Sequence, residues 1–410
     1  MKSLKRTILY YAAAIISAAL ISSAVTILLI RNGQKDSVIL TVDEYSQIRD
    51  AVALQEIADV IDAQYYGDKP SREELINQAA RGMVASLGDP YSEYFTEEEY
   101  NAYISNMNGQ YSGIGILLSQ PNETGAVVMD VYEGNPAAEA GIATGDVITH
   151  VGGKSVVGMT MDELTNEIGG EDGTELELSV LRDAEQLTFT VTRGPVNVKR
   201  VDSRLFNEKT GYIRIDMFTG NCVTEFEEAL RDLTDRGMRS LLIDLRNNPG
   251  GSLDAVVSIA DMVLQSGTIV SIRHGDDDQG SVYTSDAKGV NVPIAVLVNG
   301  NSASASEILA GAVQDLEAGV VVGMPTFGKG IVQTSLRINA NQAWLKLTTD
   351  AYYTPNGSNI HGIGIMPDIE VDLDPEFDNV PISQIPQDED AQLWAALDYI
   401  REQANAKDSA

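Results

Sequence analysis

Two apolar runs, 294–298 and 308–313, flank the segment Ser302-Ala303-Ser304-Ala305-Ser306-Glu307. Such a pattern predicts a buried strand, a turn and a helix. A serine at that junction presents its hydroxyl at the edge of a sheet. The N–H of the residue after it then falls at a helix N-terminus, where negative charge is stabilised. That arrangement suits a nucleophile for acyl transfer. It also suits a structural role, because Ser304 and Glu307 have the spacing of a helix capping box.

A serine nucleophile needs a proton acceptor. The three histidines lie in no triad-like context. His150 falls among short strands, His274 heads the acidic run 276–278, and His361 precedes Gly362; each reads as a surface or packing residue. A lysine can take the proton if burial lowers its pKa by several units. Lys329 in Thr326-Phe327-Gly328-Lys329-Gly330 is the candidate, flanked by glycines that allow close backbone approach and by no carboxylate in sequence. Strand alternation would set Lys329, Ile331 and Gln333 on one face, so Gln333 is the expected partner that orients the amine. An exposed turn lysine is the competing reading. Ser285 and Lys288 have Ser-x-x-Lys spacing but sit in a polar stretch without helical pattern or the further motifs of an acyl-enzyme of that type. No His-Glu-x-x-His motif occurs and 276–278 lacks calcium-loop spacing, so no metal or other cofactor is expected.

The elements that must position these residues follow an α+β multidomain pattern. Apolar residues at helical spacing from Ile48 to Tyr65 and from Leu75 to Leu87 predict two helices, and Thr96 with Glu99 begins a third. So small a helical unit has more apolar surface than it can bury, and it is expected to pack on another domain or on a second copy, making a homodimer. Residues 114–118, 126–131, 146–151, 176–181 and 187–191 read as strands around one helix capped by Thr160 and Glu163, a small partly open β-barrel. Beyond Pro195 strands and helices alternate, the mark of an α/β core. Its strands include 241–245, 294–298 and a hairpin of 331–338 with 344–349. Residues 393–400 form a last helix in an acidic tail.

Composition narrows the partners. The net charge of −32 over 410 residues argues against nucleic acid, which needs clustered Lys and Arg. A single cysteine, Cys222, allows no internal disulfide. At the N-terminus Lys2, Lys5 and Arg6 precede an uncharged stretch from Ile8 to Ile30, twenty-three residues closed by Arg31. That length spans a hydrocarbon core of about 30 Å and exceeds the apolar part of a typical signal peptide. A single-pass transmembrane anchor with the remainder extracytoplasmic is expected, the alternative being a secreted or periplasmic protein after cleavage near Ser22-Ser23-Ala24.

Five motifs in order resemble the carboxyl-terminal processing peptidases, or tail-specific proteases. They are Gly88-Asp89-Pro90-Tyr91-Ser92; Asp244-Leu245-Arg246-Asn247-Asn248-Pro249-Gly250-Gly251; Ser302 to Ile308 with Ala310-Gly311-Ala312 and Asp315; Phe327-Gly328-Lys329-Gly330 with Gln333; and Gly362 to Asp368. The likeness runs from about Ala51 to Val371; Asn299-Gly300-Asn301 is a mild departure. The resemblance selects Ser304 over Ser302 and Ser306, because Lys329 lies twenty-five positions on. It implies a Ser304–Lys329 dyad with Gln333, an acyl-enzyme, and oxyanion donors from Gly251 and Ala305, with Gly250 the alternative to Gly251. It also implies that the barrel is a PDZ domain. Tyr111-Ser112-Gly113-Ile114-Gly115-Ile116 would then hold a peptide carboxylate, and Leu164 and Ile168 would line the pocket for an apolar last side chain. The partners implied are protein substrates with apolar C-termini. The implied division is an anchor over 1–36, a helical domain over 37–107, PDZ over 108–195, the serine-protease core over 196–375 and a tail over 376–410. A membrane-tethered PDZ adaptor with an inert core is the rival, disfavoured by the presence of Ser304, Lys329 and Gln333 together.

Overall fold

A computed structural model of the chain describes residues 41–107, 111–196, 198–207, 209–274, 280–286, 288–377 and 380–408. It divides into two compact units, 1–80 and 81–410. The first contains helix α1 (Val42–Gln64) and the start of α2 (Arg72–Ala85). Arg72 pairs with Asp59 at 2.8 Å, and α1 leaves Leu54, Ile57 and Val60 exposed. Among the described residues no helix is long and apolar enough to cross a membrane; the 8–30 stretch read as an anchor lies outside them.

The second unit opens with a segment that sequence periodicity does not reveal. Strand β1 (Glu93–Phe95) is three residues long, followed by α3 (Glu97–Met107), which starts at the expected Thr96–Glu99 capping box. The barrel follows. Its strands are β2 (Tyr111–Gly113), β3 (Ile116–Leu118), β4 (Ala126–Val131), β5 (Val147–Val151), β6 (Lys154–Ser155), β7 (Glu175–Arg182), β8 (Glu185–Thr192) and β9 (Gly194–Val196). Its helices are the short α4 (Pro136–Ala140) and α5 (Met161–Ile168). The main sheet runs β3-β4-β5-β7-β8, with β6 on β5, while β2 pairs with β9. The first strand, expected from 114, begins at Ile116. Gly115 just before it takes φ +77 and leaves no room for a Cβ beside Asn135, so the backbone bends there.

The core is a six-stranded sheet with order β10 (Val201–Phe206), β11 (Thr210–Ile215), β12 (Ser240–Asp244), β15 (Ile294–Val298), β16 (Gly319–Gly323), β19 (Ile369–Glu370). Only the β10–β11 pair is antiparallel. Every residue of β12 and β15 is buried, as parallel strands covered on both faces require. One face buries Leu241, Ile243, Val296 and Val298 with α6 (Cys222–Asp235), α7 (Leu253–Val263) and α8 (Ala305–Asp315). The other buries Leu242, Ala295, Leu297 and Val322 against Leu393, Ala396 and Ile400 of the tail helix α9 (Ala391–Asp408), longer than expected at both ends.

A second sheet stands beside it. The hairpin of β17 (Ile331–Ile338) and β18 (Ala343–Tyr353) pairs through β18 with β1 and with β13 (Gly267–Arg273), which carries β14 (Ser281–Ser285). These extra partners carry β18 to Tyr353, four residues past the expected end.

Candidate active site

The glycine loop after β12 is clamped from beneath. Arg246, 2% exposed, forms ion pairs with Asp244 at 2.6 Å and with Asp390 of the tail at 2.8 Å, while Tyr212 donates to Asp244 at 2.9 Å. Burial alone would raise the Asp244 carboxyl, but the Arg246 charge and its hydrogen bonds hold it below the usual carboxylate range. The loop then turns through Asn247 (φ +60), Gly250 (φ +102) and Gly251 (φ +142) to lie on the serine turn. A Cβ on Gly250 would stand 2.6 Å from the Ala303 carbonyl and 2.8 Å from the Ser304 Cβ, so only glycine fits. The Gly250 N–H is taken by Asn248 Oδ1 at 2.9 Å. Among the described residues no hydrogen-bond acceptor engages the N–H of Gly251 or Ala305.

Ser304 itself holds φ +56 and ψ −113 at the start of α8, a conformation that non-glycine residues adopt rarely and at a cost. The neighbouring serines are engaged elsewhere. Ser302 donates to Leu245 O (2.8 Å) and Ser306 to Asn248 O (2.9 Å). Glu307, fully buried, ties the turn to the lysine segment. Its Oε2 accepts from the N–H of Ser304 (2.7 Å) and of Lys329 (2.9 Å). Its Oε1 accepts from the Thr326 hydroxyl (2.6 Å) and the Gly328 N–H (2.7 Å).

Lys329 is half-buried, neither the fully exposed turn lysine of the competing reading nor a sealed one. Its Nζ lies 4.6 Å from the centre of the Tyr91 ring. Burial pulls the amine below its ordinary pKa, and the charge of Lys346 pulls it further; Asp89 and Glu307 oppose this. Asp89 accepts from Ser92 Oγ (2.6 Å) and the Tyr91 N–H (3.0 Å). Desolvation raises Asp89, but bonds from Ser92, Thr348 and the Tyr91 backbone, then Lys329, bring it below the usual range. Gln333 donates its Nε2 to Thr348 Oγ1 at 3.2 Å rather than to a group on Lys329. The register of β17 on β18 shifts between Val332 and Gln333, the extra residue being Thr349 on β18, and Gln333 lines the same cavity as Lys329 and Ile331.

One cavity of about 410 Å³ is lined by Ser304, Ala305, Gly250, Gly251, Lys329 and Gln333. Lys346, Tyr352 and Tyr103 also line it. No hydrogen bond joins Ser304 Oγ to Lys329 Nζ among the described residues. None of the histidines lines it. Ser285 donates to Leu264 O and Lys288 pairs with Asp286, so the Ser-x-x-Lys spacing has no shared site.

The barrel residues named from sequence come together in part. Gly113 ends β2 opposite Gly194, and Ile114, Gly115 and Ile116 lead into β3, the outer strand of its sheet. Ile114 and Leu164 are fully buried, and Ile168 nearly so; all three pack in the barrel core. Leu164 is therefore a core residue here and not the lining of an open groove.

Sequence reasoning missed four contributors. Tyr91 and Asp89 lay in a motif noted without a role, while Lys346 and Tyr352 carried no local signal. Asp89 and Tyr91 lie just before β1, which pairs with β18 and sets Glu93 opposite Lys346.

Comparison with known proteins accords with this arrangement. Residues 209–371 match Peptidase family S41, 112–192 match the PDZ domain, and 26–99 match the Activating protease CtpB N-terminal domain. A "Probable CtpA-like serine protease" of Staphylococcus aureus (strain bovine RF122 / ET3-1) is 35% identical over 332 residues, 80% of this chain and 66% of the relative. The chain thus spans just under two thirds of that relative's length. The protein of the same name from Staphylococcus haemolyticus (strain JCSC1435) is 34% identical over 365 residues, 88% of this chain and 72% of the relative. A solved structure from Bacteroides fragilis NCTC 9343, provisionally described as an S41 protease, shares the fold. Its TM-score is 0.53 at 17% identity, over 85% of this chain and 97% of that one. The chain belongs to peptidase family S41 and is similar to the CtpA-like serine proteases.

Proposed function

We propose that this chain is a serine endopeptidase that cleaves near the C-termini of proteins with Ser304 as nucleophile and Lys329 as base. The observation that carries the reading is the single cavity lined by Ser304, Lys329, Gly251 and Ala305. Ser304 Oγ attacks the scissile carbonyl carbon and its proton passes to Lys329 Nζ. The carbonyl oxygen, now an oxyanion, accepts from the N–H groups of Gly251 and Ala305, which have no other acceptor among the described residues. The C–N bond then breaks, the amine leaves with the proton from Lys329, and an ester on Ser304 remains. Water, giving a proton to Lys329, attacks that ester; the C–Oγ bond breaks, Lys329 returns the proton to Ser304 Oγ, and the peptide leaves as a carboxylic acid. Gln333 orients the amine, acting across the same cavity. The 25-position spacing and the strained φ of Ser304 support this choice of serine. Contacts between nucleophile and base commonly tighten only when substrate binds, so the amine's seat on Tyr91 is a resting position.

In this reading the PDZ domain holds the substrate's terminal carboxylate at Gly113–Gly115 while the tail adds as a strand to β3 beginning at Ile116. Leu164 and Ile168, packed in the barrel core, supply the apolar surface beneath an apolar last side chain. Anchoring through 8–30, dimerisation through the helical segment, and the five-part division of the chain rest on the sequence. The test is cleavage of an unstructured protein ending in apolar residues. The wild type should cut it, whereas Ser304→Ala and Lys329→Ala should not; equal background rates in all three would refute the proposal.

A further inference from the structure

The cavity wall holds a second amine. Lys346 on β18 lines the same cavity as Lys329, and its side chain is 15% exposed. Three groups from the segment before the barrel fix its position. Glu93 pairs with its Nζ at 3.2 Å, and the Phe95 and Tyr103 rings lie 5.2 and 4.7 Å from it. Two aromatic faces and a carboxylate hold this cationic side chain in the wall of the cavity that Lys329 also lines. A long cationic side chain this well fixed has no structural need to face a catalytic cavity, and Glu93 is more than half exposed, so the pair adds little to stability.

We infer that Lys346 is a positioning residue for the chemistry: its fixed charge repels a proton from Lys329 and keeps that amine in its neutral, accepting form. The inference rests on Lys329 being the base. Every charged or titratable group facing Lys329 enters the balance. Asp89 and Tyr91 come from the turn before β1, Tyr103 from α3, Glu307 from α8, and Lys346 and Tyr352 from β18, the Tyr352 phenol being raised by burial and by Glu307 so that it carries no charge. The two carboxylates favour the protonated amine, and Lys346 with burial opposes them. Beside Lys346 stand Glu93 and Tyr103, the latter's phenol raised by burial and by its neighbours Tyr100 and Glu93, so that it stays neutral. The logic is that of paired lysines, in which one cation lowers the proton affinity of the other.

Lys346→Met keeps the stem and removes the charge; Lys346→Arg keeps the charge. Glu93→Gln, at an exposed position, removes the carboxylate that partly offsets Lys346. The readouts are kcat/KM against pH and, independently, the pH dependence of Lys329 acetylation by acetic anhydride, measured by peptide mass spectrometry on the full chain. The methionine variant should lose roughly three- to tenfold in kcat/KM at pH 7 and regain it at higher pH, with Lys329 acetylating only at correspondingly higher pH. Lys346→Arg should follow the wild type, and Glu93→Gln should shift both curves to lower pH. A loss in Lys346→Met equal at every pH, or unchanged Lys329 acetylation in Lys346→Met and Glu93→Gln, would overturn the inference. Should the methionine variant not fold, the Glu93→Gln shift decides alone. Activity surviving Lys329→Ala would instead overturn the assignment of the base, while the acetylation curves still report whether Lys346 acts on Lys329.

Discussion

Replacing Glu307 by glutamine keeps the shape of the side chain and changes one acceptor oxygen into a donor. The carboxylate takes five hydrogen bonds: four between 2.6 and 2.9 Å from Ser304, Lys329, Thr326 and Gly328, and a longer one at 3.4 Å from the Tyr352 hydroxyl to Oε2. A glutamine presents one oxygen, so in either orientation at least two backbone or hydroxyl donors that are buried or partly buried face an –NH2 group. Each buried donor left unsatisfied costs about 1–3 kcal/mol, which puts the destabilisation at about 2–6 kcal/mol. Both segments that carry the candidate dyad hang from this carboxylate, so turnover should fall further than stability does. Both tryptophans, Trp344 and Trp394, lie in the second unit, and their fluorescence in a urea titration reads the loss directly. A midpoint equivalent to less than about 0.5 kcal/mol from wild type, with unchanged kcat, would refute the view that Glu307 braces the site.

Two further perturbations address the scaffold. Asp390→Ala removes one of the two carboxylates on buried Arg246 and should cost about 3–5 kcal/mol in the same urea assay, because it leaves the charge under-compensated. Asp244 is held below its unfolded value near 3.9. The stability it contributes is therefore present above that pH and lost as pH falls through the lower folded value, which comparison of urea midpoints at pH 7 and pH 3 would register. Gly250→Ala would press a Cβ on the Ala303 carbonyl and the Ser304 Cβ at φ +102, and cleavage should fall on the order of 10²-fold or more; wild-type turnover would contradict the placement of the loop.

What sequence made legible were segments whose signal is local. The strand–turn–helix around Ser304 stood out because every residue of β15 is apolar and α8 follows at helical spacing. The capping box at Thr160 and Glu163 was readable and forms, with Thr160 N–H donating to Glu163 at 2.8 Å. What stayed hidden depends on residues far apart in the chain. Glu93 and Lys346 are separated by 253 positions, and β1 is too short to show a period. The Tyr91 ring on Lys329 arises the same way, from a turn placed by that pairing. Gln333 lines the cavity with Lys329 and Ile331, as strand alternation predicts, but its bond to Thr348 came from a β18 register that sequence does not show. Leu164 met a third limit, since an apolar helix face looks the same whether it lines a groove or fills a core.

The account turns on Ser304 becoming nucleophilic through Lys329. The most direct measurement is intact and peptide mass spectrometry of the protein after exposure to a fluorophosphonate at pH 7. The expected result is one covalent adduct on Ser304 in the wild type, none in Ser304→Ala, and strongly slowed labelling in Lys329→Ala. An adduct on a different serine, or a Lys329→Ala protein labelled at Ser304 as fast as the wild type, would contradict it.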